Sequence, residues 1–251
     1  MKTLIYSIFL LLILPTFTFP QTRKASGYID QIPDLPTTIN EARSRLSPQD
    51  EDSKVQAVIK DIDINSDTTQ PLTVDEINDP PGNNTFLSST DDYVKVRKNL
   101  QQGWTEVEDS IVVLVTNPKL AFQNAIVAIG EERVRELDEC KDQSINEHRR
   151  KKSADTSCAS IVEQKMMGRR DTVASGYLAS TTQRWVRLKN TVRIFLQRQE
   201  SMLDSVRPRN VESAGIDQAK RVDATLLAVV KLLLQIEEDV TKSVVHAGAR
   251  E

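Results

Sequence analysis

The stretch CKDQSINEHRRKKSADTSC, residues 140–158, decides the fold, because its two ends are the only cysteines of the chain. Long runs with apolar residues at helical spacing lie on both sides of it. This pattern predicts two antiparallel helices that turn at HRRKKSADTS and are joined by a disulfide between Cys140 and Cys158. Such a closed loop would stabilise the fold by about 3 kcal/mol in the chain-entropy account.

A thiol metal site is the alternative for the same cysteines, with His148 as a third ligand. Structural metal sites usually use four close ligands at recurrent spacing, whereas this hairpin offers one Cys, one His and one Cys. The disulfide is therefore the favoured interpretation, and we predict neither a metal nor a cofactor.

The chain starts MKTLIYSIFLLLILPTFTFPQT, with Lys2 ahead of an apolar run from Leu4 to Leu14. This pattern is typical of a secretory signal peptide, and the run is shorter than the ~20 residues that span a bilayer. We expect residues 1–20 to be removed and the mature protein to be secreted and extracellular, with no later segment that crosses a membrane. An oxidising compartment also favours the disulfide.

Residues 21–90 have the composition of a tail, with twelve acidic against six basic residues and six of the ten prolines. Because so few large apolar groups would not offset the entropy of ordering the backbone, this acidic segment is predicted to be mostly disordered. One exception is EDSKVQAVIKDIDI, whose spacing predicts a short amphipathic helix from its apolar residues Val55, Val58, Ile59 and Ile62.

The same segment contains a glycosylation sequon, Asn83-Asn84-Thr85, in the turn-rich stretch PPGNNTF. Exposed turns of secreted proteins are where such sequons are modified. We therefore predict a glycan on Asn83.

Beyond residue 90, four runs carry apolar residues at steps of three and four, and none shows β-like alternation. Residues 91–247 are thus predicted to form an all-α fold, an elongated antiparallel bundle of about four long helices with coiled-coil-like periodicity. Thr116-Asn117-Pro118 is expected to end the first helix, and Gly168 and Gly176 to mark a kink or break in the third.

Charge supports this pairing. Residues 91–147 hold twelve acids and seven Lys or Arg, for a net of −5, whereas residues 148–221 hold seven acids and sixteen Lys or Arg, for +9. Antiparallel neighbours would set an acidic helix beside a basic one, which selects the pairing and register of the helices.

The sharpest local feature is the basic turn Arg149, Arg150, Lys151 and Lys152, which Lys165, Arg169 and Arg170 would extend. Three interpretations remain open for this patch. It is a solvated turn that favours the helix end, a docking patch for an anionic glycan or membrane surface, or a dibasic processing site. Nucleic acid is not expected as a partner, because the chain is acidic overall and its aromatic residues do not interleave with the basic ones.

Catalytic motifs are missing from the sequence. There is no GxSxG elbow, no HExxH and no phosphate-binding glycine loop, and the chain has two histidines. We therefore predict that the protein is not an enzyme.

Two functions follow from these features. The first is a secreted, non-enzymatic helical protein that binds or supports an extracellular protein or matrix partner. The second is an amphipathic bundle that binds lipid or a hydrophobic ligand, in the manner of an exchangeable apolipoprotein. A homo-oligomer formed through the C-terminal heptads is a further prediction.

Overall fold

The computed structural model describes residues 24–46, 54–66, 69–78, 91–147, 155–206 and 213–247. Within these ranges the chain is almost entirely helical and contains no strand, which confirms the all-α class. The elements are a 3-10 helix at Ala25–Gln31, α1 at Ile39–Arg45, α2 at Lys54–Asn65, α3 at Val74–Asn78, α4 at Asp91–Ile111, a π-helical turn at Val112–Thr116, α5 at Asn117–Glu147, α6 at Asp155–Val206 and α7 at Ser213–Ala247.

α4 and α5 form one continuous helix, because the backbone stays helical through the π-helical turn between them. Pro118 explains the turn, since its nitrogen carries no hydrogen and its ring would clash with the carbonyl four residues earlier in a regular helix. The wider turn lets the N–H of Asn117 donate to the carbonyl of Val112, five residues back. The predicted end of a helix at Thr116-Asn117-Pro118 is therefore wrong.

α6 runs antiparallel to this long helix. Phe122 of α5 stacks on Tyr177 of α6 with ring centroids 4.4 Å apart, and Cys140 is bonded to Cys158. The expected break in this helix is absent, since α6 is uninterrupted at both glycines, Gly168 and Gly176.

α7 packs against α6 and completes a core of three long helices. Its heptad residues are buried in this core: Val222, Leu226, Val229, Leu233, Val240 and Val244. The apolar stripe of α7 therefore contributes to the core of the monomer, while Ile216 near its start is 49% exposed. A homo-oligomer through the C-terminal heptads stays a prediction.

α5 and α6 continue as a pair beyond the end of α7. Lys119 of α5 lies 3.6 Å from Asp239 of α7, and α7 ends eight residues later at Ala247, which is about 12 Å further along. We call residues 128–147 and 155–171 the arm and the three-helix part the body. The arm has its own small apolar cluster, built from α5 and α6: Ile129, Cys140, Val162 and Met166.

The described parts of the acidic N-terminal segment, residues 24–46, 54–66 and 69–78, lie against the body, and we call them the strap. Their apolar side chains join the same core as α6 and α7: Tyr28, Ile29, Ile32, Leu35, Ala42, Val55, Val58, Ile62, Leu72 and Ile77. The prediction of a mostly disordered segment does not hold for these residues, while the predicted short helix is α2. The apolar side chains of the strap therefore belong to the core of the body and do not form a separate core.

Polar contacts hold the strap in place along α6 and α7. The Trp185 indole N–H donates to the carbonyl of Pro33 at 3.2 Å, and the Leu72 N–H donates to the Thr225 hydroxyl at 2.8 Å. Ion pairs mostly join strap acids to cations of the body: Asp30 with Arg193, Asp34 with Lys189, Asp63 with Lys231 and Glu76 with Arg221.

Gly103 lies where α4 packs closely on α6, and it provides a test of the packing. A Cβ at this position would lie 2.5 Å from Cδ2 of Phe195, whose ring is buried. We expect Gly103→Ala to lower the free energy of unfolding by about 1–3 kcal/mol in a urea titration, although alanine is the better helix former.

Gly168→Ala is the matched control, because a Cβ there meets nothing within 4 Å. It should raise the free energy of unfolding by up to about 1 kcal/mol through helix propensity. Equal effects of the two substitutions would contradict the packing of Gly103 on Phe195.

Glu41 makes the stability of α1, within the strap, dependent on pH. The hydrogen bond from the Thr37 N–H, followed by that from Arg45, lowers the pKa of Glu41 from 4.5 to about 2. Because the folded-state pKa lies below the unfolded value, its stabilisation is present above about pH 4.5 and is lost as the pH falls towards 2.

Glu41→Gln should therefore lower the free energy of unfolding at pH 7 by about 0.5 kcal/mol, a small effect because the carboxylate is partly exposed. It should also flatten the loss of stability between pH 5 and pH 2, measured by chemical denaturation at each pH. Glu139→Gln, at an exposed position of α5, should leave the curve unchanged. Parallel curves for Glu41→Gln and the wild type would argue against this role.

Candidate interaction surface

The disulfide predicted from the sequence is present in the arm. Cys140 of α5 and Cys158 of α6 are bonded, with Cα atoms 5.9 Å apart, which is within the usual range. Each cysteine lies close to the end of its helix, eight residues or fewer from the connection at residues 148–154. The bond therefore fixes the two helices of the arm near the end at which the chain connects them.

Charged side chains pair across the arm as the sequence predicted. Arg133 donates to both carboxylate oxygens of Glu163 at 2.6–3.0 Å, and this hydrogen bonding lowers the pKa of Glu163. Lys165 lies 2.6 Å from Glu136. The acids belong to both helices, so the pairs fix the register from two sides.

The structure uses part of the predicted basic patch for this pairing. Arg169 forms an ion pair with Glu132, and its hydrogen bond lowers the pKa of that carboxylate. Arg170 is partly buried, and its positive charge helps to lower the pKa of Glu163. Arg169 therefore has an intramolecular partner in the arm, and its assignment to the patch stays a prediction.

Other predicted features lie outside the described residues. These are the signal peptide, the sequon at Asn83 and the basic turn formed by Arg149, Arg150, Lys151 and Lys152. The chain connectivity places the basic turn between α5 and α6, and the predictions for all three stand as made from the sequence.

The most prominent exposed feature is a row of side chains on α5 and the preceding turn. Leu120 and Val127 precede the buried Phe122 and Ile129 by two residues, which is a rotation of about 200°, so they point away from α6. Steps of four and three connect them to further exposed residues, and we call the whole row the outer stripe: Val113, Asn117, Leu120, Asn124, Val127, Glu131 and Val134.

The aliphatic members of the outer stripe are strongly exposed. Val113, Leu120, Val127 and Val134 recur every seven residues and are 60%, 55%, 59% and 57% exposed. Between Ile111 and Gly130 the only charged residue is Lys119, which is turned towards Asp239. An apolar row about 30 Å long therefore faces outward without a charge in its centre.

This region also corrects the expectation that no later segment could cross a membrane. The helix Lys95–Asp142 contains an 18-residue window with a mean hydropathy of 1.4, of which 11% is buried. The mean hydropathy of this window is high because apolar residues occupy both sides of the helix. The prediction from the sequence considered only one periodic row. Since Phe122 and Ile129 pack inward, length and composition alone do not make this helix a membrane span.

One acidic residue lies near each end of the outer stripe. Asp109 lies four residues before Val113, and Glu131 lies between Val127 and Val134. Both carboxylates are exposed, and neither forms an ion pair within the part of the chain that the structure describes.

Other features of the described chain bring together fewer groups that could bind a ligand. An open groove of about 570 Å³ lies between α4 and α6 and is lined by Asn99, Ile194, Gln197, Arg198, Ser201, Met202 and Ser205. Burial raises the pKa of Tyr177 to about 12 and also raises that of Glu237, which pairs with Arg45 at 3.0 Å. Among the described residues, no group of three or more His, Cys, Asp or Glu could hold a metal ion.

Comparisons with models of protein families, with characterised proteins and with solved structures found no match to this chain. The function is therefore inferred from the exposed surface of the protein.

Sequence analysis missed the outer stripe, although a signal for it is present. The apolar row predicted for this run includes Phe122, Ile126 and Ile129, which lie on the inner side, and also Val134, which is 57% exposed. Val113, Leu120, Val127 and Val134 form a second series with a strict period of seven, and a search for two apolar faces on one helix would have found it.

Removing the disulfide should loosen the arm and spare the body. We expect Cys140→Ala/Cys158→Ala to lower the free energy of unfolding by about 3 kcal/mol and to speed amide hydrogen exchange in residues 129–142 and 158–170. Exchange in residues 95–122 should speed up by a smaller factor, because only global unfolding and no added local opening exposes them. Reduction of the wild type with a thiol should reproduce the pattern, and a uniform increase along the chain would contradict a separate arm.

Proposed function

We propose that this chain is a secreted, non-enzymatic binding protein that contacts an extracellular protein through the outer stripe. The observation that carries the proposal is the exposure of four aliphatic side chains at seven-residue spacing on one long helix. Contiguous apolar surface of this kind on a folded protein marks an interaction site more often than single exposed residues do.

The rigidity of the surface supports a binding role. α5 packs on α6 through its inner face, the disulfide closes the arm, and ion pairs such as Arg133–Glu163 flank the contact. A surface fixed in this way loses little conformational freedom when a partner binds, which favours affinity.

The polar residues within the stripe support a protein partner. Asn117 and Asn124 alternate with the aliphatic residues, and their exposed amides require hydrogen-bonding groups on whatever covers them. A protein surface can supply donors and acceptors at fixed positions.

A lipid surface is the second candidate, and the apolar window of the helix Lys95–Asp142 favours it. Helices that lie in a membrane interface usually combine an apolar face containing Trp or Phe with Lys and Arg beside it. The outer stripe has Asp109 and Glu131 at its ends and no exposed aromatic residue, so the protein partner is the better supported of the two.

Substitution of the stripe should abolish partner binding. We expect Leu120→Glu/Val127→Glu to reduce by at least tenfold the proteins that cross-link to the purified full chain in the extracellular fluid where it occurs, measured by quantitative mass spectrometry. Circular dichroism should be unchanged, because both side chains are exposed.

Val186→Glu is the matched control, since Val186 on α6 is 56% exposed and lies outside the stripe. It should retain the wild-type set of cross-linked proteins. Identical sets for the stripe variant and the wild type would refute the proposal. Binding to phosphatidylcholine–phosphatidylserine vesicles that is lost in the stripe variant would support the lipid alternative instead.

A further inference from the structure

We infer that the partner of the outer stripe is an amphipathic α-helix with basic residues at both ends, which lies along α5 as the second strand of a coiled coil. This inference rests on the proposed function and names the chemistry of the partner.

The spacing of the stripe is that of a coiled-coil seam. From Asn117 to Val134 its residues follow one another at steps of three, four, three, four and three, which is the alternation of the two core positions of a heptad, and Val113 precedes them in the π-helical turn. The distance from Val113 to Val134 is about 32 Å at 1.5 Å per residue. A straight helix laid along α5 would therefore meet aliphatic side chains at every second core position.

The other core positions are polar, and they specify what faces them. Asn117 and Asn124 occupy two successive positions of this kind, and neither side chain has a hydrogen bond within the described chain. A buried asparagine in a coiled coil fixes register and strand number, because its amide must meet a matching polar group. The partner helix therefore carries Asn or Gln opposite these two residues and Leu, Ile or Val between them.

The acidic residues near the ends of the stripe favour a partner that carries positive charges at the same places. Asp109 and Glu131 are 22 residues apart, or about 33 Å, and both are exposed without an ion pair among the described residues. Cations at the same separation on the partner would pair with both acids, while anions there would be repelled. Asp109 precedes the stripe and Glu131 occupies one of its core positions, and charges at such places contribute modestly to affinity but strongly to the choice of partner.

A second copy of the chain satisfies the spacing but not the charges. In a parallel pair, Glu131, which occupies a core position of the seam, would face Glu131 of the other copy. In an antiparallel pair, Glu131 would face an aliphatic core position of the other copy, which leaves its charge without a partner in the seam. Both arrangements disfavour the Glu131 carboxylate, so this residue acts against self-association.

The inference can be tested with two designed peptides of about 30 residues that share a heptad seam of leucine and asparagine. One carries Lys at two positions 22 residues apart, and the other carries Glu there. Fluorescence anisotropy with the disulfide-intact full chain should show at least tenfold tighter binding of the Lys peptide. Added salt should reduce this ratio.

Two variants of the protein assign the effect to the stripe. Asp109→Asn/Glu131→Gln should bring the two peptides to within threefold of each other, and Leu120→Glu/Val127→Glu should weaken the Lys peptide at least tenfold. Val186→Glu should bind like the wild type. Equal binding of the two peptides to the wild type, or no binding of the Lys peptide, would overturn the inference.

The inference and the proposed function can fail separately. If the Lys peptide does not bind but the cross-linked extracellular proteins still depend on Leu120 and Val127, the surface binds a partner of another shape. If sedimentation shows a dimer that Leu120→Glu/Val127→Glu returns to monomer, the occupant is a second copy and the inference is wrong. If neither peptides nor extracellular proteins depend on the stripe, both proposals are rejected.

Discussion

The antiparallel register between the α4–α5 helix and α6 governs the rest of this structure. The residue numbers of facing pairs add up to 298 or 299 at three separate levels: Gly103 with Phe195, Phe122 with Tyr177, and Cys140 with Cys158. A slip by one residue would rotate one helix by about 100° against the other and shift it by 1.5 Å, which would separate all three pairs together. The disulfide closes one end of this register, and the close approach at Gly103 fixes the other.

The register also determines which charged side chains pair across the helices. The net charges predicted an acidic helix beside a basic one, and pairs such as Arg133–Glu163 and Arg169–Glu132 show that both helices contribute acids and bases in a matched order. The surplus of cations on α6 and single cations of α7 also pair with the acidic strap, for example through Arg193 and Arg221. The charge asymmetry of the sequence therefore has two intramolecular partners, of which sequence analysis considered only one.

What could be predicted from the sequence was what depends on local pattern. Period and composition predicted the long helices, and the cysteine count predicted the disulfide. The strap was missed because its composition was judged as if it had to fold alone, whereas Tyr28 and Ile29 complete a core that α6 and α7 leave open. A signal was present in α7, whose flanking Leu227, Val230 and Leu234 make its apolar face wider than one neighbouring helix can cover.

The outer stripe is the structural consequence of giving one helix two apolar faces. The register commits the inner face of α5 to α6, and α7 ends at Ala247, close to the level at which the arm begins. The strap lies against α6 and α7, so it does not cover the outward side of Leu120 and Val127, which remain 55% and 59% exposed. A helix with apolar residues on opposite sides is stable in water only if one side is covered and the other is short or interrupted by polar groups, as Asn117 and Asn124 interrupt this one. Those asparagines keep the stripe soluble when it is free, and the same amides restrict what can cover it to surfaces that return their hydrogen bonds.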